Sequence, residues 1–330
     1  MISKLPLFLD AKIYKDPRLK PALQQLRDWM GPRRQERPEG YLNIDKYFYA
    51  YVAYYLPLHF PELYWILDQI KKKNFLASSQ SVLDVGCGPG TLSLSLLVWL
   101  QEQGLAEPEK MLLWDHSPKA LQLAKEKLST LVNDSKKIIT QKVKLPSFPV
   151  KDEKFDLILM GHFLTEWGSG PRFRSKKKSF LKNLLETKLS DEGTLIVLEP
   201  PLKEGTLDLM YLRDEFAQDY SVVAPCPQST LGCPMLKSHL GWCYAQPSRE
   251  DFRKKGLAPY DTHLEKILKI KLTHPGFSYL VLTKKKFEPP HTKVFVSQSR
   301  VPKDLVCNSK AKIVESSHKA FHRGEIVFEK

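Results

Sequence analysis

From Gln80 onward, short apolar runs alternate with amphipathic stretches. "SVLDVG", "KMLLWD", "KIITQKV", "FDLILMGH" and "GTLIVLEP" have strand length, while "TLSLSLLVWLQEQ", "SPKALQLAKEKLSTLV", "KSFLKNLLETKLS" and "TLDLMYLRDEFAQ" carry apolar residues at helical spacing. Alternation of this kind predicts an α/β fold, a doubly wound parallel sheet with helices on both faces. "ILKIKLTH" and "FSYLVLTKKK" read as an antiparallel pair closing its edge. Upstream, residues 16–40 are rich in Pro, Arg, Gln and Glu and predict one short helix, broken at Gly31–Pro32. Residues 41–72 are crowded with aromatics at helical spacing on both sides of Pro57 and Pro61. Such a stripe packs a core or forms a lid over a ligand. After Pro290 the texture is β again: "KVFVSQS", "DLVCNS", "AKIVESS", "EIVFEK". The expected organisation is a helical N-terminal region over 1–74, a core domain over 75–286 with an irregular cysteine-rich insertion at 221–260, and a β-rich segment over 287–330.

Composition narrows the class. Over 330 residues, 42% are hydrophobic and 27% charged, a globular rather than disordered balance. The longest apolar run, around Leu92–Leu100, is interrupted by serines and is too short to span a bilayer. The first residues lack the layout of a secretory signal. A cytoplasmic monomer with no membrane partner is the default expectation, with an organellar address left open. The formal net charge of +14 attracts polyanions, and residues 281–330 alone carry eleven Lys/Arg against five Asp/Glu. Five cysteines in a chain of this kind point to metal ligation or burial, not to a disulfide scaffold.

The strongest local motif is "VLDVGCGPGTLSL" at 82–94. Gly86, Gly88 and Gly90 permit a tight turn and close approach of a ligand to the backbone, and the following helix offers free N–H groups. A dinucleotide loop spaces its glycines two and then three apart. Here they are evenly spaced, preceded by Asp84, and an acid, Asp115, ends the next strand, where it can accept from ribose hydroxyls. These features resemble the class I S-adenosylmethionine-dependent methyltransferases over roughly 75–286. The resemblance implies that Asp84, Gly86, Cys87, Gly88 and Gly90 line the amino-acid and ribose side of the cofactor, with Asp115 on the ribose. An acid that often binds adenine after the third strand is missing from "TQKVKLPSFP", which leaves backbone and apolar contacts for that ring.

The acceptor side is less explicit. The fourth strand runs into "MGHFLTEW" without the Asn/Asp-Pro-Pro-Tyr/Phe motif of amine-methylating relatives. His162 and Glu166 are the polar candidates there. A histidine can act as a general base near neutral pH or serve as a hydrogen-bonded structural residue. "GPRFRSKKK" follows, and Arg172, Arg174, Lys176, Lys177 and Lys178 are candidate phosphate contacts or a solvated helix start.

Cys226, Cys233 and Cys243 are spaced C-x6-C-x9-C, wider than the pairs of zinc ribbons. Two are followed by proline, as at iron–sulfur ligands. Three thiolates are one short of a cubane set, and Cys307 is the remaining candidate outside the cofactor loop. An iron–sulfur cluster, a zinc ion and no metal are all open from spacing alone. "VVAPCPQSTLGCP", "GWCYAQ" and "FSYLVLTK", following "EPPLKEGTLDLMYLRDEF", resemble the ribosomal small-subunit methyltransferase-like family, which includes mitochondrial small-subunit assembly factors and bacterial relatives; "YAYVAYYLPLHFPELYWIL" resembles the same family. The resemblance covers about 41–330. It implies a [4Fe-4S] cluster on Cys226, Cys233, Cys243 and Cys307, and association with the small ribosomal subunit and its rRNA as methyltransferase or assembly factor. Gln228 stands where that family usually has His. The alternative is a small-molecule or protein methyltransferase with structural zinc or no metal.

Overall fold

The computed structural model describes residues 11–31, 33, 36–149, 152–229, 232–238, 241–272, 276–290, 292–296, 304–310, 312–316 and 323–328. Two helices precede the sheet, α1 (Leu19–Met30) and α2 (Asp45–Lys72). The alternating units follow as β1 (Ser81–Val85), α3 (Thr91–Glu102), β2 (Lys110–Asp115), α4 (Pro118–Ser129), β3 (Ile138–Lys142), β4 (Phe155–Gly161), α5 (Pro171–Lys188), β5 (Leu189–Glu199) and α6 (Lys203–Phe216). Then come β6 (Ser221–Ala224), three short helices α7 (Pro234–Ser238), α8 (Arg249–Lys254) and α9 (Asp261–Leu268), and β7 (Ser278–Thr283). The sheet has seven strands in the order β3-β2-β1-β4-β5-β7-β6, with β7 antiparallel to both neighbours. Reversal of strand order between β1 and β4, together with a reversed β7, is the class I methyltransferase topology.

Strand periodicity builds two cores. Along β4, Leu157 and Leu159 face the layer containing α2, α3 and α4, while Ile158 and Met160 face α5 and α6. Along β5, Ile196 and Leu198 take the first side, and Leu195 and Val197 the second. Two buried faces explain why these strands read as continuous apolar runs.

The edge pair differs from the sequence expectation. The partner of β7 is β6, so the strand at 221–224 belongs to the sheet and the irregular segment starts after it. The stretch at 267–274 contains no strand among its described residues. Leu264, Ile267 and Leu268 lie three and four apart and pack inward as one helical face of α9, which Lys269 ends in a left-handed conformation. The four C-terminal β runs do form strands, β8 (Thr292–Phe295), β9 (Asp304–Asn308), β10 (Ile313–Ser316) and β11 (Ile326–Phe328), in one antiparallel sheet of order β10-β9-β8-β11. That sheet docks on α2, where Ile326 N–H donates to Gln69 Oε1 at 3.0 Å. Among the described residues no helix is long and apolar enough to cross a membrane.

Helix α2 continues through Pro57 and Pro61. Each proline lacks an N–H and leaves the carbonyl four residues earlier without its helical donor. The orphan at Ala53 is taken by Tyr14 Oη at 2.9 Å, and the orphan at Pro57 by Arg249 Nη2 at 3.2 Å. Arg249 is itself fully buried and paired with Asp261 through Nη2–Oδ1 at 2.6 Å.

Two outcomes are expected. Tyr14→Phe should cost about 1 kcal/mol, and much less in a Pro57→Ala background, where a backbone N–H is restored to Ala53. Chemical denaturation of the four proteins in this cycle measures the difference; equal costs in both backgrounds would contradict the substitution of donors. Arg249→Leu, which strands buried Asp261, should cost about 3–5 kcal/mol.

Candidate functional site

The glycine loop follows β1 and opens α3. Cys87 N–H donates to Trp114 O at 3.0 Å, tying the loop to β2. Gly88 has φ +53° with open space where a side chain would be, and Gly90 has φ +82° where a Cβ would come within 3.0 Å of Ala124 on α4. The first glycine leaves room in front of the loop, and the second lets the loop approach α4 closely. Asp115 ends β2 and accepts from Gly88 N–H at 2.9 Å and from Ser117 N–H at 2.8 Å. A carboxylate oxygen has two lone pairs, so each retains capacity for a ligand hydroxyl.

A cavity of about 460 Å³ opens in front of the loop. Of the loop residues, Gly86, Gly88 and Asp115 line it. Asp84, Cys87 and Gly90 are not among its lining residues. Asp84 is buried behind the loop and accepts from Ser93 Oγ at 2.7 Å and Ser93 N–H at 3.3 Å, so it braces the start of α3. Its other oxygen, Oδ1, is buried without a partner. Burial pushes its pKa up to about 7, against the Ser93 hydrogen bonds. Cys87 is packed, with Sγ 3.3 Å from Gly88 O, and burial pushes its thiol well up. Val143, Lys144 and Leu145 line the cavity after β3.

The roof comes from the N-terminal region, which the glycine motif did not reveal. Residues 37–42 and Tyr51 of α2 line the cavity. This strap is clamped by Arg37 Nη1 on Glu166 Oε1 (2.9 Å), Lys144 Nζ on Glu39 Oε1 (2.9 Å), Ser117 Oγ on Asn43 Oδ1 (2.8 Å), and an ion pair between Lys119 and Asp45. The aromatic stretch is therefore both core and lid: Phe48, Phe60 and Trp65 are buried, while Tyr51 faces the cavity.

The segment after β4 sits at the cavity's other end. Glu199, at the end of β5, accepts from the N–H groups of Phe163, Leu164 and Thr165 at 3.0, 2.7 and 3.2 Å and so fixes the turn that carries His162 and Glu166. His162 has φ +55° and places Nε2 2.8 Å from Glu62 Oε2. The other Glu62 oxygen lies 2.9 Å from His59 Nδ1. Burial would raise the Glu62 pKa, but the two imidazoles hold it at about 2; burial lowers His59, whereas the charge of Glu62 overcomes burial and raises His162. Both predicted acceptor-side residues are thus already engaged, His162 with Glu62 and Glu166 with Arg37. His59 and Glu62 were missed by sequence reasoning, although their i, i+3 spacing on a helix was visible.

The basic run divides. Arg172 and Lys176 are exposed, and Lys176 Nζ lies 4.8 Å from the ring centre of Trp167, a cavity-lining residue. Lys177 is only 2% exposed and its Nζ is 2.8 Å from buried Asp208 Oδ2, which corrects its assignment as a phosphate contact: a buried lysine needs a paired anion. Arg174 Nε holds the other Asp208 oxygen at 2.8 Å, and Lys178 pairs with Glu215.

Helix α6 organises the cysteines. Asp214 accepts from Cys233 N–H at 3.0 Å and from Arg213 Nη1 at 2.6 Å, and Met210 Sδ takes Cys243 N–H at 3.3 Å. Cys226, Cys233 and Cys243 border one small cavity, and Cys307 on β9 is within electrostatic reach of all three. Burial and mutual repulsion raise the thiols of Cys233 (to about 11), Cys243 and Cys307. Two buried basic side chains stand beside them. Lys73 Nζ donates to Val223 O (2.7 Å) and Cys226 O (2.5 Å), and burial pushes its pKa down to about 7. Arg213 hydrogen-bonds the Cys226 side chain and donates through Nη2 to Gln228 O at 3.1 Å. Gln228 is buried and its backbone belongs to this cradle.

Asp84 gives a pH signature. Its native value of about 7 exceeds the ordinary 3.8, so the native state binds its proton more tightly. The stability this contributes is complete below about 4 and is lost as pH rises toward 7. Asp84→Asn removes that loss. Its melting temperature relative to the unsubstituted protein should therefore climb between about pH 4 and 7 and level off above; a pH-independent difference would contradict this.

Comparison with known proteins follows the same lines. Magnesium protoporphyrin IX methyltransferase from Synechocystis PCC 6803 with bound SAM is similar at 14% identity and a TM-score of 0.41, over 80% of this chain and 97% of that one. A putative RNA methyltransferase from Pyrococcus horikoshii is similar at 13% identity and a TM-score of 0.38, over 69% and 84%. The strand order, rather than these distant likenesses, defines the fold. No curated protein matches the sequence. A family model described as mitochondrial small ribosomal subunit Rsm22 matches residues 46–319, spanning the aromatic helix, the glycine loop and all four clustered cysteines. The chain belongs to the Rsm22 family.

Proposed function

We propose that the protein binds S-adenosylmethionine in the loop cavity and acts on the small ribosomal subunit as an rRNA-directed methyltransferase. The carrying observation is the cavity itself: a glycine loop with open space at Gly88, an acid at the end of β2 and an apolar wall at Val143 and Leu145. Gly88 would approach the cofactor's amino-acid and ribose side, Asp115 would accept from ribose hydroxyls, and Asp84 would hold α3 in place behind them. Bound there, the cofactor supplies an electrophilic methyl group. His162, oriented by Glu62, and Glu166, oriented by Arg37, border the acceptor end and position the acceptor. The family's description supports the small subunit as partner and the organellar address that the sequence left open. Exposed Lys176 on the ring of cavity-lining Trp167, and exposed Arg172 on the same helix, offer phosphate contacts for rRNA within a chain of net charge +14.

The engaged state of His162 and Glu166 favours a second reading, an assembly factor that docks with cofactor bound and without turnover. Methyl transfer from labelled cofactor to small-subunit rRNA separates the two.

Cys226, Cys233, Cys243 and Cys307 are the proposed ligands of a [4Fe-4S] cluster. Lys73 and Arg213, the buried basic groups beside them, would offset the negative charge of its thiolates. The cluster would pin the segment after β6 and the C-terminal sheet to α6, adding its binding energy to folding.

Three outcomes test this. By calorimetry, Gly88→Ala should weaken S-adenosylmethionine binding at least tenfold, with little loss of stability beyond about 1 kcal/mol for the left-handed residue. Anaerobically purified protein should contain about four irons and four sulfides per chain, and Cys243→Ser should lose both and melt at lower temperature; an iron-free wild type would remove the cluster. Co-sedimentation with small subunits should fall steeply between about 50 and 200 mM salt and weaken in Arg172→Ala/Lys176→Ala. Salt-independent binding would remove the phosphate contacts.

A further inference from the structure

Besides the glycine loop and the cysteines, His59, Glu62 and His162 bring three metal-ligating groups together, with one donor atom from each all within 4.8 Å of one another. His59 and Glu62 share one face of α2, and His162 arrives from the end of β4, so the three converge from two independent elements. Glu62 is only 1% exposed and presents one oxygen to each imidazole. His162 holds a left-handed backbone conformation, fixed by its N–H on Leu198 O at 2.7 Å. A non-glycine residue keeps such a conformation where its surroundings over-determine it, and functional sites are where this clusters.

The donor chemistry is selective. Two imidazole nitrogens and one carboxylate oxygen suit zinc, iron and their neighbours, whereas magnesium and calcium favour all-oxygen sites. The fourth side is open. Both imidazoles line a cavity of about 250 Å³ walled by Tyr51, Tyr54 and Tyr55, and this cavity shares Tyr51, His162 and Glu166 with the loop cavity. Donors about 2.1 Å from a tetrahedral ion stand roughly 3.4 Å apart. The present nitrogen–oxygen separations of 2.8 and 2.9 Å would open by about half an ångström, a side-chain adjustment.

We propose that His59, Glu62 and His162 form a binding site for one divalent first-row metal ion, zinc or ferrous iron, whose open coordination position faces the tyrosine-walled cavity. An oxygen or nitrogen of a methyl acceptor entering that cavity would meet the ion beside the loop cavity. The metal site itself stands without the S-adenosylmethionine reading.

Cobalt(II) titration of the full-length protein tests this, because the cobalt spectrum reports its ligands. One equivalent should give visible d–d bands without the near-ultraviolet sulfur-to-cobalt band that the cysteine site would produce. His59→Ala should weaken this species at least tenfold, and Glu62→Gln should do the same, with circular dichroism confirming the fold. His59 borders the cavity, so its truncation gives a usable variant even where Glu62→Gln fails to fold. A wild type that binds cobalt only with the sulfur band, or a thiolate-free spectrum unchanged in His59→Ala, would overturn the site and leave the triad as a buried ion pair.

Discussion

Helix α2 is the constraint on which the rest of the structure depends. Its middle carries two prolines, and each would leave a buried carbonyl unpaired at a cost of about 1–3 kcal/mol. Tyr14 and Arg249 supply the missing donors from distant parts of the chain. That repair lets one helix run from the roof of the loop cavity to the cysteines. Tyr51 lines the cavity, His59 and Glu62 face the end of β4, Gln69 holds β11, and Lys73 just beyond the helix holds the carbonyls of Val223 and Cys226. The methyltransferase sheet and the C-terminal sheet therefore meet on a single element.

Three buried charges are matched by partners from distant parts of the chain or the same helix: Lys177 by Asp208, Arg249 by Asp261, Glu62 by two imidazoles. Around the cysteines the balance leans toward cations, with Lys73 and Arg213 against thiols that burial keeps protonated. Such surroundings favour ligands that become negative when loaded. Behind the loop the reverse holds, since Asp84 faces Asp115 with no cation closing on its free oxygen.

Most of the sheet was legible because its central strands are buried on both faces and helices α4 and α5 on one, so periodicity and length separated them. The edge was misread where a lysine-spaced run, "ILKIKLTH", alternated like a strand but begins in α9, with Ile267 and Leu268 on the helical face that Leu264 starts. The glycine loop and Asp115 were readable as local motifs. The strap over the cavity was not, because its contacts, Arg37 to Glu166 and Lys144 to Glu39, join residues about a hundred apart. Lys177 sat inside a run of cations, and its burial depends on Asp208, 31 residues later in the chain. His162 stood out as a polar residue at the right place, but its partner Glu62 lies 100 residues upstream.

The central claim is that the loop cavity, roofed by the strap and α2, is a cofactor site. Hydrogen–deuterium exchange with and without S-adenosylmethionine tests it most directly, because it reads the cavity's own backbone. Slower exchange in the glycine loop at 86–90, the strap at 37–43 and the turn at 162–167 is the predicted result. Exchange unchanged in all three segments at saturating cofactor would contradict it.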